Sequence, residues 1–378
     1  MTRTKKNTLG KILAASSVFI VAHGVTQSAS AAAVDYTACV RDTKLTSVGN
    51  SAELAQVPMW GFATTAGASS CMMGITSKVP GNPIEIGVGD TLNLTLNMMM
   101  SPQENAPAPS PSYNGHTIHL HGADVPTAMD GVPETSRAIA VGGSYKYIWD
   151  TTPLLNTPSA IGSFMYHCHV HTVKHLDMGM YGAILVRPKD ALGTTLMNQI
   201  TADSASKFDK EQTYVVSAVD PTYHTAVGDS VVFADYNPLF FLLNGTEGIS
   251  TAAPASAAVL SGVASGQKVA IHLVDPLSVY GTFSIKDATG TPQSFTVYVE
   301  DGRAVAPVPR LGDSLTSQTS LEIGPGKRFD IIFNMPASTT AATVFPQIEF
   351  KNPRGEAITV KNPDGTTRTA QVYGKIMF

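Results

Sequence analysis

The chain has 378 residues, of which 43% are hydrophobic and 14% are charged, and its formal net charge is −4. This length is enough for two domains with hydrophobic cores of their own. The charge balance shows no basic patch of the kind that binds nucleic acid. After the N-terminal segment, no stretch approaches the roughly 18 apolar residues of a membrane span.

The N-terminal segment has the pattern of a secretory signal peptide. Four basic residues accompany an apolar run from Ile12 to Val25, and Ala29-Ser30-Ala31 offers a small-residue cleavage site. The segment contains no acidic residue, so its removal takes away four positive charges and changes the net charge from −4 to −8. We therefore expect residues 1–31 to be removed and the mature chain to be periplasmic or secreted.

The chain contains three cysteines, Cys39, Cys71 and Cys168. Disulfides persist in the oxidising conditions outside the cytoplasm. We therefore expect Cys39 and Cys71 to form a disulfide, with two unlinked thiols as the alternative. Cys168 is then available for other chemistry.

After the signal segment, the sequence is typical of a series of β-strands. Glycine (32 residues) and proline (24 residues) are frequent, and strand-like runs alternate with turn signals. The clearest runs are 83–94, 145–149, 182–186, 214–216, 268–274 and 329–333. No long segment has a helical period. This predicts an all-β chain of two tandem Greek-key sandwiches. We expect the first at residues 45–188, a polar linker at 189–210 and the second at 211–378.

Two short segments carry seven of the ten histidines. The first is HTIHLHG, which begins at His116, and the second is YHCHVHTVKHLDMGM, which ends at Met180. A thiolate, imidazoles and a thioether form the ligand set of a blue copper centre, in which two His and one Cys lie in a plane with a weak axial Met. Zinc also binds Cys and His, but the spaced methionine favours copper.

The spacing within these segments predicts two metal sites. Successive side chains of a β-strand point to opposite faces. In the first segment, one face carries His116 and the other carries the next two histidines. In the second, Cys168 lies on the face opposite to its neighbours His167 and His169. If the two strands are adjacent, the sites lie back to back and are joined through the backbone around Cys168.

At these two motifs the chain resembles the multicopper oxidases and their two-domain cupredoxin relatives, which include the copper nitrite reductases. The family motifs are His-x-x-His-x-His-Gly and His-Cys-His followed by His and Gly-Met, and both appear here. The resemblance implies cupredoxin-like domains and a type 1 copper held by His116, Cys168, His175 and Met180. It also implies a catalytic second copper site, of type 2 or type 2/3, at four histidines: His119, His121, His167 and His169.

Two positions of the type 1 ligand set have rivals. In the oxidases, the second histidine usually lies five residues after the cysteine, where this chain has Val173. His171 therefore competes with His175, and the longer gap that nitrite reductases tolerate favours His175. Met178 competes with Met180, and the family's Gly-Met dipeptide favours Met180.

The second half of the chain resembles the copper-free cupredoxin domain of three-domain oxidases, at residues 240–245, 299–302 and 324–330. A trinuclear cluster in this family uses eight histidines, and the first half of the chain offers four of them. The second half contains only His224 and His272. His272 lies in an alternating run that predicts a buried strand, whereas His224 is near a turn and is expected to be more available.

Three interpretations follow from the resemblance. The leading one is an exported multicopper oxidase-like enzyme that takes single electrons from a small-molecule or protein donor and reduces oxygen at the second site. An alternative is a nitrite reductase-like enzyme, whose type 2 copper binds His121, His167 and a histidine from a neighbouring subunit, either His224 or His272. For the chain as a whole, the resemblance to two-domain members implies a homotrimer. The third is a non-enzymatic blue copper electron carrier or copper-binding protein.

Overall fold

The computed structural model describes residues 31–67, 71, 76–98, 115–152, 160–225, 236–276, 280–305, 315, 317–337, 343–361 and 365–378. The expected signal peptide lies outside these residues apart from Ala31. Within them, no helix is long and apolar enough to cross a membrane.

Eight strands form an N-terminal sandwich of two four-stranded sheets. They are β1 (Ala33–Thr43), β2 (Met59–Ala66), β3 (Gly81–Gly87), β4 (Thr91–Asn97), β5 (His119–His121), β6 (Ser144–Asp150), β7 (Gly162–His167) and β8 (Tyr181–Arg187). One sheet has the strand order β2-β1-β4-β6 and the other has the order β3-β8-β7-β5. Strands far apart in sequence are therefore neighbours, as in Greek-key sandwiches.

The remaining described strands form a C-terminal sandwich. They are β9 (Lys210–Val219), β10 (Phe240–Leu243), β11 (Thr246–Glu247), β12 (Val259–Leu260), β13 (Lys268–Val274), β14 (Tyr280–Asp287), β15 (Phe295–Glu300), β16 (Arg303–Ala304), β17 (Ser317–Gln318), β18 (Ser320–Ile323), β19 (Arg328–Asn334), β20 (Thr343–Lys351), β21 (Thr359–Lys361), β22 (Thr367–Thr369), β23 (Gln371–Tyr373) and β24 (Lys375–Met377). Its sheets follow the orders β11-β10-β9-β13-β19-β15-β16 and β12-β24-β20-β14-β18. β17 pairs with β15, β23 pairs with β20, and β21 and β22 form a separate hairpin.

The described helices are short. The α-helices are α1 (Thr172–Asp177) and α2 (Pro221–Thr225). Single 3₁₀ turns lie at Leu54–Gln56, Thr127–Met129, Ser204–Ser206 and Ser256–Ala258. The prediction of an all-β fold is confirmed.

The strands follow from the alternation of their side chains. In β4, the sequence Thr-Leu-Asn-Leu-Thr-Leu-Asn buries its three leucines and leaves the polar residues partly exposed. β13 is buried from its second residue onward, because it lies between β9 and β19. The run 83–94 is divided between β3 and β4, and Gly89, whose φ is 83°, lies in the turn between them. Glycine adopts this left-handed conformation without a steric cost.

Apolar packing joins the two sandwiches. The core of the N-terminal sandwich contains Phe62, Tyr147, Trp149 and Phe164. The core of the C-terminal sandwich also includes residues contributed by the first half of the chain, namely Met59, Val79, Met165, Leu176, Tyr181 and Ala183. The boundary between the sandwiches is therefore a packed apolar interface.

Cys39 of β1 is disulfide-bonded to Cys71, with their Cα atoms 5.5 Å apart. Both cysteines are buried in a small cluster with Ala63. The expected disulfide is confirmed, and Cys168 takes part in no disulfide.

A buried carboxylate links the two sandwiches. Asp330 on β19 accepts hydrogen bonds from the backbone N–H and the hydroxyl of Ser163 on β7, at 2.8 and 2.6 Å. It also accepts one from His272 Nδ1 on β13 at 2.5 Å. His272 Nε2 lies 2.9 Å from Glu211 on β9, and Glu211 pairs with Arg187 on β8 at 2.7 Å. This network therefore crosses the interface twice.

Glu211 should make the free energy of unfolding depend on pH. Burial alone would raise the pKa of Glu211, but hydrogen bonds with His272 and Arg187 lower that pKa from 4.5 to about 2. A carboxyl group whose pKa is lower in the folded state contributes stability above its unfolded pKa. This contribution is lost as the pH falls from 4.5 towards about 2. We expect urea titrations to show a falling free energy of unfolding over this window.

The Glu211→Gln chain should show a weaker decrease over the same window. Glu322, whose side chain is 67% exposed, offers the matched control, because Glu322→Gln should keep the wild-type pH dependence. An equal decrease in the wild-type and Glu211→Gln chains would contradict the role of Glu211.

Candidate metal centre

Cys168 lies between two buried histidines. Its Sγ is 3.1 Å from His175 Nδ1 and 3.6 Å from His116 Nδ1, and the two nitrogens are 3.2 Å apart. Bonds from nitrogen or sulfur to a metal such as zinc are about 2.0–2.3 Å long, so the ligand atoms of one ion lie roughly 3–4 Å apart. The three atoms therefore fit around a single ion.

The chain after β7 folds back to bring His175 and Met180 to this site. The N–H of Cys168 donates to the carbonyl of Met180, and the N–H of Met180 donates to the carbonyl of His175, at 3.0 and 3.1 Å. Helix α1 begins after His171, whose φ is 41°, and carries His175 one turn later. β7 ends at His167, before the end of the strand expected from the His-Cys-His spacing.

The structure distinguishes the rival ligands. His175 Nδ1 lies 3.1 Å from Cys168 Sγ, whereas the ring of His171 lies 6.1 Å from the ring of His175, and His171 is not part of the group of nitrogen and sulfur atoms that could hold a metal. Met180 is fully buried and belongs to the same apolar cluster as Cys168, while Met178 lies outside that cluster. His175 and Met180 are therefore the better placed members of the two pairs.

A second group of histidines lies on the other side of the same pair of strands. β5 and β7 are antiparallel, and His119 is opposite His167 in their register. The ring centroids of His119, His121 and His167 are 5.0 to 5.5 Å apart, and one nitrogen of each lies within 4.8 Å of the others. The ring of His169 is 5.1 Å from that of His119. The structure thus has the back-to-back arrangement that the two-residue strand period predicts.

Hydrogen bonds orient three of these rings. His119 Nδ1 donates to the carbonyl of Asp130 at 2.6 Å, and His167 Nδ1 donates to the carbonyl of Cys168 at 2.9 Å. His169 Nδ1 lies 3.1 Å from the hydroxyl of Thr172. Each of these bonds uses Nδ1, so Nε2 is the nitrogen that could face a metal, and Nε2 of His167 lies 3.2 Å from Nδ1 of His121. Histidine ligands are typically held by such a second hydrogen bond.

Three imidazoles of the two groups, those of His121, His167 and His175, have pKa values below the ordinary value of 6.5. Burial lowers the pKa of His175 to about 3 and that of His167 well below 6.5. Burial is also the main cause that lowers the pKa of His121 to about 4, and the positive charge of Arg328 adds to it. A neutral imidazole has a lone pair for a metal ion, because a proton and the metal compete for the same nitrogen.

The second group lines a cavity of about 270 Å³. The facing wall comes from the C-terminal sandwich, at Pro276, Pro325 and Gly326. A Cβ atom added to Gly326 would lie 3.1 Å from the ring of His121, so a larger residue would crowd this group. The motif at 324–330 is visible in the sequence, but its contact with the histidines depends on the fold.

The two histidines of the C-terminal sandwich form hydrogen bonds or ion pairs with residues of their own chain. His272 is bonded to Asp330 and Glu211, in agreement with the buried strand position expected for it. The expectation that His224 is available at a turn is wrong. His224 lies on α2, is only 4% exposed, and its Nε2 is 2.7 Å from Asp177 on α1. Both imidazoles therefore already have polar partners within the chain.

Comparisons with known proteins connect these motifs to a family. Residues 60–191 match the sequence profile of the multicopper oxidases. The copper-containing nitrite reductase of Alcaligenes xylosoxydans xylosoxydans is 25% identical over 203 residues, which cover 51% of this chain and 55% of that protein. The chain thus matches little more than half the length of this curated relative.

Solved structures share the overall fold. The blue copper oxidase of Nitrosomonas europaea has a TM-score of 0.61 at 18% identity, with 92% of this chain and 86% of that chain covered. A multicopper oxidase of Campylobacter jejuni, described as a metallo-oxidase, has a TM-score of 0.56 at 16% identity, with 91% and 57% covered. At such identities the likeness shows the fold alone, which is that of cupredoxin sandwiches.

The profile match and the fold confirm the resemblance to the multicopper oxidases. That family implies copper. The sulfur and nitrogen donors of the first group and the three imidazoles of the second are compatible with this metal.

Proposed function

We propose that this chain, whose residues 60–191 match the multicopper oxidases, is a copper-dependent oxidoreductase that takes single electrons from a donor and reduces oxygen. The type 1 copper would be held by the first group together with Met180, that is by His116, Cys168, His175 and Met180. The second site, of type 2 or type 2/3, would use the histidines on the other side of β7, namely His119, His121, His167 and His169. Copper, when bound, supplies the one-electron redox chemistry.

The main support for this proposal is that the two groups are joined through adjacent residues of the chain. His167 belongs to the second group and Cys168 to the first. In addition, His167 Nδ1 donates a hydrogen bond to the carbonyl of Cys168 at 2.9 Å. An electron accepted on the Cys168 side therefore has a path of only a few bonds to the imidazole side. Simple storage of copper would not require this connection.

The two groups differ in their access to small molecules. His116, Cys168 and His175 are at most 2% exposed, so this side of the chain can exchange electrons but offers no room for a substrate. The second group faces the cavity of about 270 Å³, which has room for a molecule as small as oxygen. These differences favour electron uptake at the first group and reduction of the oxidant at the second.

Nitrite reduction is the second candidate, supported by the nitrite reductase relative and by the three-histidine group. A type 2 copper in that family needs three histidines. His119, His121 and His167 supply three from one chain, so this version requires no ligand from a neighbouring subunit. Assembly into a homotrimer is then a separate proposal, which light scattering of the purified protein tests.

The test of the proposed function is total copper per chain in purified, copper-loaded protein, combined with its electron paramagnetic resonance spectrum. Two or more coppers, with a type 2 signal or a magnetically silent excess, would support an enzyme. Oxygen and nitrite consumption in the presence of a reductant would then distinguish the two candidates. A single copper with only the blue signal would contradict both and leave an electron carrier.

Replacement of His119 by alanine should abolish turnover but preserve the blue absorption. His119 belongs to the second group, and its ring contacts are with the other histidines of that group. The ligand atoms around Cys168 are therefore untouched. Oxygen uptake and the visible spectrum of the copper-loaded variant measure the two effects.

The matched control for this change is His171→Asn. Asparagine tolerates the left-handed conformation that His171 adopts at φ 41°, so the helix start is retained. This control should keep both turnover and colour. Unchanged turnover in the His119→Ala chain, or loss of its blue band, would contradict a catalytic second site.

We also propose that the chain is exported, on the basis of the signal-like pattern of residues 1–31. Expression in a Gram-negative bacterium followed by mass spectrometry of the periplasmic fraction tests this. Cleavage near Ala31 is expected. A full-length chain confined to the cytoplasm would contradict export.

A further inference from the structure

The first group, which consists of His116, Cys168 and His175, is closed to solvent. An electron donor therefore cannot touch these residues directly. His116 and Cys168 are 0% exposed, and His175 is 2% exposed. An electron must therefore pass across an intervening side chain to reach this group. The position of that side chain decides where the donor binds.

Trp60 on β2 covers both histidines of the first group. Its indole is edge-on to the ring of His175, with 5.2 Å between centroids and 89° between planes. The ring of His116 lies 6.3 Å away at 72°. Trp60 is only partly buried and packs against the apolar core that contains Cys168. Its side chain therefore extends from the surface to the ligands.

Backbone contacts hold Trp60 in this position. Its N–H donates to the carbonyl of Met178 at 2.7 Å. A Cβ atom added to Gly179 would lie 2.7 Å from the Trp60 carbonyl, so the two segments are packed as closely as glycine allows. The same segment continues to Met180. The backbone of Trp60 is thus held against the segment that carries Met180.

Among the residues that the structure describes, His171 is another partly exposed ring near this group. Its centroid is 6.1 Å from that of His175, which is farther than the indole of Trp60. Trp60 in addition lies against His116. The geometry therefore favours Trp60 as the connection to the surface.

We propose that the electron donor makes contact at Trp60 and that its indole is the medium through which the electron reaches the first copper group. This inference rests on the proposed function. The donor is an outer-sphere one-electron reductant, which loses one electron while the first site gains it. The indole is neither oxidised nor reduced overall. Electron tunnelling weakens steeply with the width of an empty gap, and the indole fills the gap between the surface and the two imidazoles.

Stopped-flow reduction of the copper-loaded chain by ferrocyanide tests this proposal, with bleaching of the blue band as the signal. Trp60→Leu should slow the reduction by on the order of tenfold or more, a factor that corresponds to about 1.4 kcal/mol of activation free energy. Trp60→Phe keeps a ring and should slow the reduction less. His171→Asn should react at the wild-type rate. The paramagnetic resonance spectrum should be the same in all of these chains.

A wild-type rate in the Trp60→Leu chain, or a slow rate in the His171→Asn chain alone, would overturn the proposal. Absence of a blue band in the wild-type chain would instead refute the proposed function. The two failures are therefore distinguishable.

A second measurement does not depend on turnover. It tests the contact between Trp60 and the first group even if the Trp60→Leu chain loses the blue band that the stopped-flow experiment needs. The chain has two tryptophans, so the Trp149→Phe chain reports the emission of Trp60 alone. Addition of Cu(II) to the metal-free Trp149→Phe chain should quench this emission. Quenching should persist when His119→Ala is added and should be lost when Cys168→Ser is added. If the emission of the Trp149→Phe chain is not quenched by Cu(II), the proposed contact between Trp60 and the first group is wrong.

Discussion

The Cys168→Ser chain is expected to have no blue absorption and no turnover with any donor. Sγ of Cys168 is 3.1 and 3.6 Å from the nearest nitrogens of His175 and His116, and no other cysteine is available to replace it, since Cys39 and Cys71 are bridged. Serine offers a hard oxygen in place of the soft thiolate that defines a blue copper site. Visible and paramagnetic resonance spectra of copper-loaded chains measure the loss, and oxygen uptake measures turnover.

The matched control removes the other two cysteines. Cys39 and Cys71 lie in a small cluster of their own, separate from the core that contains Cys168. The Cys39→Ser/Cys71→Ser chain should therefore keep the blue band. It should unfold more easily, because loss of a native disulfide typically costs about 2–5 kcal/mol. A blue band in the Cys168→Ser chain would show that another residue supplies the thiolate-like ligand.

Replacement of Asp330 by alanine is expected to lower the free energy of unfolding by about 3–5 kcal/mol, the usual cost of removing one partner from a buried ionic pair. The Ser163 N–H and hydroxyl would lose their acceptor, and His272 would lose the carboxylate that faces its Nδ1. Burial alone lowers the pKa of His272, and the bonds to Asp330 and Glu211 more than offset this and raise it. Urea titration at neutral pH measures the change.

The Asp330→Asn chain separates the charge from the hydrogen bonds. Asparagine keeps one oxygen that can accept from Ser163, but it lacks the negative charge that faces His272. Its loss of stability should therefore be smaller than that of Asp330→Ala. A loss below about 1 kcal/mol in the alanine chain, the range of exposed ion pairs, would contradict a structural role for this contact.

The Asp330 contact also affects the position of the two candidate metal groups. Ser163 lies on β7, and the same strand ends at His167, immediately before Cys168. The C-terminal sandwich therefore holds the strand that carries His167 of the second group and that leads directly into Cys168 of the first. It does so without contributing a histidine of its own to either of the two groups found among the described residues.

Much of the candidate site is predictable from local sequence. The alternation of side chains along a strand separates His116 from His119 and His121, and it separates Cys168 from His167. In the structure β5 begins at His119 and β7 ends at His167, so His116 and Cys168 lie just outside the strands, and yet they meet in a group separate from that of His119, His121 and His167. The disulfide was likewise expected from the export signal and the number of cysteines, and the structure confirms it.

Other parts of the site depend on residues that are distant in sequence. The choice of His175 over His171 required the helix α1, which a strand period does not describe. His224 is engaged by Asp177, and this contact joins α2 to α1 across the interface. Trp60 carries no motif that marks it, because its relevance comes from packing against rings more than fifty residues away.

The sequence by itself determined the kind of ligands, their division between two faces and the all-β class, because these follow from side-chain chemistry and from the two-residue period of a strand. Only the tertiary structure placed His175 Nδ1 at 3.1 Å from Cys168 Sγ, and only it decided which residues line the cavity of the second group. It also decided that His272 binds Asp330, the carboxylate that links the two sandwiches. These outcomes are set by long-range packing, in which a buried polar group takes whichever partner the fold brings within hydrogen-bond distance.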